Sequence, residues 1–240
     1  MTTRVFWLFG RGASVSCNLT WVVPDSWRIL ERSEQIERIK ASILTEMNKK
    51  EVLDSPTYKL FLHALANHTI IPWQHLFITT NWDYLLQRDV LNLNVKILPK
   101  WLANSHVSHL NGTVEVLDDN SNRSPFLLED DPPNTRVWTV EANITFNEMI
   151  WGQFFVVVGM SFECRIDKFL LTMLNKVEDD LPIGESTWLL INPDEMSLEQ
   201  SALRIQSALP SAIIHKIPYK FDDWINSRMP QLQDAGVLSF

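Results

Sequence analysis

The residues best suited to chemistry fall in three short stretches. In FITTNWDYLL (77–86) an apolar run gives way to Asn81 and Asp83, two residues apart. An amide in that position can hold a water or a sugar hydroxyl, and the carboxylate can brace the loop or cap a helix starting at Trp82–Gln87. In VFWLFGRGAS (5–14) another apolar run is followed by Gly10-Arg11-Gly12-Ala13-Ser14. Glycines after a strand let backbone approach a pyrophosphate, and a following helix points N–H groups at an anion. The dinucleotide fingerprint is incomplete, because its third glycine position is Val15 and the acid due about 20 residues later falls near Glu31, after no strand. The third stretch, VSHLNGTVEV (107–116), ends at Asn111-Gly112-Thr113, a pair that also suits a hairpin turn. Taken singly, a glycine turn, a helix cap and a hairpin turn all stay open.

Elements able to position these residues can be read from apolar spacing. Short runs recur at Val5–Phe9, Leu76–Ile78, Val95–Leu98, Val107–Leu110, Phe154–Val158, Trp188–Ile191 and Ile213–Ile217. Several are apolar throughout, as in strands of a parallel sheet covered on both faces. Between them lie helical stripes: Ile36, Ile39, Ile43 and Met47 after Ser33; Tyr58, Phe61, Leu62 and Leu65 after a Ser55-Pro56 cap; Ile166, Phe169, Leu170, Met173 and Leu174; and a helix opening at Asp194 or Ser197 and closing before Pro210. Strands alternating with helices predict a doubly wound, mainly parallel α/β fold of the Rossmann-like kind. A helical insertion is expected over about 24–72, where two helices and no clear strand are legible. The main domain is expected over 1–220, with a C-terminal helix and tail at 221–240. Residues 114–136, with Glu129-Asp130-Asp131, read as an acidic, solvated loop.

Composition narrows the function. The 240 residues include ten Trp and are 45% apolar, so the chain is a folded domain. A formal charge of −8 and the lack of any basic run argue against nucleic acid. Cys17 and Cys164 stand far apart without a CxxC, which excludes a four-cysteine zinc site, and no metal is expected. No apolar stretch reaches the roughly 20 residues of a membrane span, and Gly10-Arg11-Gly12 interrupts the opening run before a signal core forms. A cytoplasmic location without membrane contact is expected.

In order along the chain, the three stretches resemble the sirtuin-like family: a G-x-G-x-S turn, then T-x-N-x-D, then a strand ending in x-G. VVVGMSF resembles that family's V-G-x-S turn, with Gly159 and Ser161; WLLINPDE resembles its strand ending in Asn-Pro, with Asn192; and SCNLTW, with Trp21, is similar to the opening of the bacterial defence-associated branch. The resemblance runs from Val5 to Pro218. It implies a sirtuin-type fold holding NAD across the carboxyl ends of its strands, where the nicotinamide–ribose bond breaks through an oxocarbenium-like state. Carried over, the cofactor contacts are Gly10, Arg11, Gly12, Ala13, Ser14, Thr80, Gly159, Ser161 and, on the adenosine side, Asn192. Asn81 would orient the nucleophile or the ribose, with Asp83 in support.

Two positions depart from the family pattern. Its alanine between the glycines is Arg11, which could pair with a diphosphate or fill the cleft. Its catalytic His aligns with Asn111, which cannot take a proton near neutral pH; general-base help is typically worth about 10²–10⁴-fold. His109 lies two residues back on the same strand face and is a candidate substitute, or else a histidine held by a structural hydrogen bond. The resemblance thus implies an NAD⁺ glycohydrolase releasing nicotinamide and ADP-ribose, in antiphage defence, with a catalytically impaired NAD or ADP-ribose-binding assembly module as the alternative. Peptide deacylation is not expected without the zinc cysteines. A homo-oligomer or a separate partner protein is expected, because no sensor domain fits in the chain.

Overall fold

In β1 (Arg4–Phe9), Val5, Trp7 and Phe9 point to one face and Phe6 and Leu8 to the other, and all five are buried. A strand buried on both faces needs helices on both sides of its sheet. The computed structural model of the protein, which describes residues 4–71, 73–93, 107–115, 125–132, 140–175 and 185–240, has that arrangement. The sheet consists of β1, β2 (Gln74–Thr79), β3 (Ser108–His109), β4 (Phe154–Val158), β5 (Thr187–Ile191) and β6 (Ile213–Ile217). Their order is β3-β2-β1-β4-β5-β6, and every pairing among them is parallel. The fold is therefore the doubly wound one predicted. The run Val95–Leu98 lies outside the described residues.

The helices are α1 (Arg11–Val15), α2 (Arg32–Met47), α3 (Lys50–Leu53), α4 (Thr57–His68), α5 (Leu85–Leu93), α6 (Val140–Met149), α7 (Arg165–Asn175), α8 (Glu195–Ala208), α9 (Phe221–Asn226) and α10 (Pro230–Asp234). One face of the sheet is covered by α2, α4, α5 and α9; the other by α6, α7 and α8. Segment 24–72 holds a 3₁₀ turn at Asp25–Trp27 and three helices, one more than the spacing revealed, since α3 is a single turn. The start of α4 also differs slightly: Pro56 occupies the capping position, and the Ser55 hydroxyl reaches Thr57 Oγ1 at 3.4 Å instead of a backbone N–H. At α8 the cap is Asp194, which accepts from the N–H groups of Met196 and Ser197.

Aromatic rings fill the first face. Trp7 meets Phe61 edge-on at 4.6 Å, and Phe61 meets Phe221 of α9 at 5.3 Å. The C-terminal segment is thus part of this core: Phe221, Trp224, Met229, Leu232 and Val237 are buried in it. Backbone bonds from Ile70 N–H to Val237 O and from Ser239 N–H to His68 O pin it in place.

Residues 125–131 correct the expectation of a solvated loop. Phe126, Leu127, Leu128 and Asp131 are buried, with Phe126 stacked on Trp82 at 5.1 Å. Arg32 grips Asp131 through two bonds of 2.9 and 2.6 Å. The acidic residues there are partly anchors, which composition alone could not show.

Candidate functional site

A cleft of about 450 Å³ opens at the carboxyl ends of the strands, where the chain order reverses between β1 and β4. Such a switch point is where open α/β sheets bind ligands. Gly10, Asn81 and Asn111, at the tips of β1, β2 and β3, all line it, and so do Arg11, Ser14, Thr80, Asp83, Gly159 and Ser161.

The floor is a chain of short hydrogen bonds. The Asn81 side-chain amide donates one proton to Gly10 O at 2.9 Å and the other to Ser14 Oγ at 2.7 Å. Ser14 Oγ in turn donates to Asp83 Oδ2 at 2.6 Å. Asp83 Oδ1 accepts from the Leu85 N–H at 3.1 Å, so this residue both braces the loop and caps a helix, α5, which begins three residues later than expected. Burial pushes the Asp83 carboxyl pKa up, opposed by its bonds to Ser14 and Leu85. A flipped Asn81 amide would set its oxygen against Gly10 O, so the network fixes its orientation. With both protons donated inward, Oδ1 is the amide atom left for a ligand.

The glycines serve the two crossing turns. A Cβ on Gly10 would lie 2.5 Å from Met160 Cα, and one on Gly12 2.7 Å from Gly159 Cα. Gly159 itself has φ +59°. The amide protons here are used internally: Gly10 N–H goes to Val158 O, Gly12 N–H to Gly159 O and Ala13 N–H to Gly10 O. Gly12 and Ala13 do not line the cleft; Ala13 is buried in the core. The turn after β4 is held from behind, where Arg204 Nη1 of α8 donates to Ser161 O at 2.7 Å.

Asn111 is buried and donates from Nδ2 to Thr80 O at 2.9 Å, tying β3 to β2 beside the cleft. His109 is placed differently from what a substitute base requires. Its ring is wholly buried and does not line the cleft. Burial lowers its pKa to about 4, against a hydrogen bond with the Asn81 backbone. It supports the Asn81 loop through that bond. Asn192, at the tip of β5, is likewise not in the lining: its Oδ1 accepts from Asp194 N–H at 3.0 Å and its N–H donates to Ile217 O.

Sequence reading missed the apolar wall. Leu19, Trp21, Val22, Val23, Ile43 and Trp82 line one side, and Glu129 reaches the cleft from the 125–131 strap. Trp21 and Trp82 meet edge-on at 6.3 Å. Only Trp21 carried a sequence signal, through family resemblance; Glu129 depends on long-range packing that has none. Among the described residues no cluster of side chains suits a metal ion.

No protein-family model matches the chain, and neither does any curated protein. Solved structures do. One, described as the structural basis for the mechanism and regulation of Sir2 enzymes, is 15% identical, covering 98% of this chain and 93% of the other with a TM-score of 0.52. A second, Sir2Tm bound to a propionylated peptide, is 14% identical over 97% of this chain and 93% of its own, with a TM-score of 0.45. The first match makes the architecture sirtuin-like: the described residues form a fold similar to that of the Sir2 enzymes. No helix among the described residues is long and apolar enough to cross a membrane.

Proposed function

We propose that the cleft binds NAD⁺ and hydrolyses its nicotinamide–ribose bond, releasing nicotinamide and ADP-ribose. The observation that carries this reading is Asn81. Its amide protons are tied to Gly10 O and Ser14 Oγ, so a rigid carbonyl dipole remains at the strand tips. Such a dipole favours a carbon that becomes positive as its bond to nitrogen breaks, and it can accept a hydrogen bond from a ribose hydroxyl or the attacking water. The bonding pair leaves with the nicotinamide nitrogen, which departs neutral and needs no general acid. Water then bonds to C1′ and loses its proton to solvent. The sirtuin-like fold and the motifs along the chain agree with this substrate.

The test is nicotinamide release from NAD⁺, followed by proton NMR. Wild-type protein is expected to release it, and Asn81→Ala to slow release by about 10²-fold or more. No release by the wild type, alone or assembled, sinks the hydrolytic reading. As part of the same proposal, the protein acts in the cytoplasm during antiphage defence, as a homo-oligomer or with a partner protein. Cells expressing it should lose NAD⁺ on infection, and cells expressing Asn81→Ala should keep it. A monomer in light scattering that turns over at the full rate would contradict the assembly.

A second reading has its own support. Asn111 carries no base, and His109 is buried away from the cleft. A cleft that binds NAD or ADP-ribose without cleaving it, as a sensing or assembly module, fits those facts. Calorimetric binding of ADP-ribose with no nicotinamide release would select it.

A further inference from the structure

We infer that phosphate recognition in this cleft has passed from the backbone of the glycine turn to a single side chain, Arg11. This rests on the NAD⁺ reading and deepens it. A glycine turn after β1 ordinarily serves an anion through its N–H groups. Here the amides of Gly10, Gly12 and Ala13 are already committed to Val158 O, Gly159 O and Gly10 O, and the first two bonds join the turn to β4 and the turn that follows it. Withdrawing them for a phosphate would break the packing of Gly12 on Gly159. Those three N–H groups are therefore not available to a ligand's negative charge, and a side chain of the same turn must supply what they do not.

Among the described residues that line the cleft, Arg11 is the one cation. It is exposed, and no ion pair holds it among the described residues. The other charged residues of the lining, Glu129, Glu163, Asp167 and Asp83, are all acids. Their charge disfavours each further negative charge on a ligand. A planar guanidinium offers a bidentate fork to phosphate oxygens, which a lysine ammonium does not. The class of ligand follows: a nucleotide diphosphate esterified at both ends, with few negative charges, in preference to a nucleoside triphosphate whose extra charge the acids oppose.

Calorimetry on the full chain tests this with ADP-ribose, ATP and adenosine as probes, on the wild type, Arg11→Ala and Arg11→Lys, with melting temperatures as a check on folding. The wild type should bind ADP-ribose more tightly than ATP, and more weakly as salt is raised. Arg11→Ala should lose about tenfold or more for ADP-ribose, most of the salt dependence and nothing for adenosine. Arg11→Lys should fall between. Unchanged or tighter ADP-ribose binding by Arg11→Ala overturns the role of Arg11 while leaving the NAD⁺ reading standing; no binding of ADP-ribose by the wild type overturns both.

Discussion

Ser14 is the residue on which the cleft floor turns. Its hydroxyl accepts from Asn81 and donates to Asp83, and it is buried. Ser14→Ala leaves a buried carboxyl short of one partner and the Asn81 amide short of another. A loss of about 1–3 kcal/mol is expected in urea unfolding, together with weaker ADP-ribose binding, because the Asn81 dipole is no longer fixed. Stability unchanged within error would show that the three residues do not act as a unit. At this scale the sequence was partly legible. Asn81 and Asp83 stood out because a polar pair at the tip of an apolar run requires partners. Which partner they have was not, because Ser14 is distant in the chain and only the pairing of β1 with β2 brings it near. His109 shows the opposite failure. Strand alternation gave its face, but the depth at which β3 is buried decided its role.

The turns after β1 and β4 work as one element. Gly159 has φ +59°, and a Cβ there would lie 2.4 Å from Gly12 Cα. Gly159→Ala should cost about 1–3 kcal/mol from backbone conformation alone, and more from the collision, lowering the melting temperature and the soluble yield. Phe162, buried in the same turn, is also left-handed at φ +53°. The bond from Arg204 to Ser161 O helps hold this turn in shape from outside the cleft. Arg204→Ala should therefore weaken ADP-ribose binding several-fold with little change in melting temperature, and Arg204→Lys should restore part of it. Equal binding by all three proteins would remove Arg204 from any positioning role. Elements with strong apolar runs were readable in advance, above all β4. The single-turn α3 and the 125–131 strap were not: the first is too short for a periodic pattern, and the second is ordered by Trp82 and Arg32 from elsewhere in the chain.

For the molecule as a whole, buried histidines set the response to acid. Burial lowers the pKa of His75 to about 3 and that of His109 to about 4, from an ordinary 6.5. His75 Nδ1 accepts from Trp7 Nε1 at 3.0 Å, so the neutral ring suits its site. Because the folded state binds these protons less readily than the unfolded chain, stability is complete above pH 6.5 and falls as pH drops toward 4. The slope should approach about 1.4 kcal/mol per pH unit for each histidine. Asp83, raised above its ordinary 3.8, has the opposite sign and opposes folding once pH exceeds that value, which softens the fall without reversing it. Urea midpoints measured from pH 8 to pH 4 check this; a flat profile would contradict the burial of both rings. The doubly wound architecture was foreseeable from alternating strands and helices. That the last twenty residues complete the aromatic face, through Phe221 against Phe61, was not.

The contact of Gly12 with Gly159 makes a welded seam beside the cleft, with two backbones touching and no side chain between them to swing aside. Trp21, Val22 and Val23 line the same cleft with side chains, and Val22 is exposed. Those side chains, unlike the two glycines, can be trimmed without disturbing the backbone, so Val22→Ala should quicken the arrival of ADP-ribose in stopped-flow binding and leave the rigid seam unaltered.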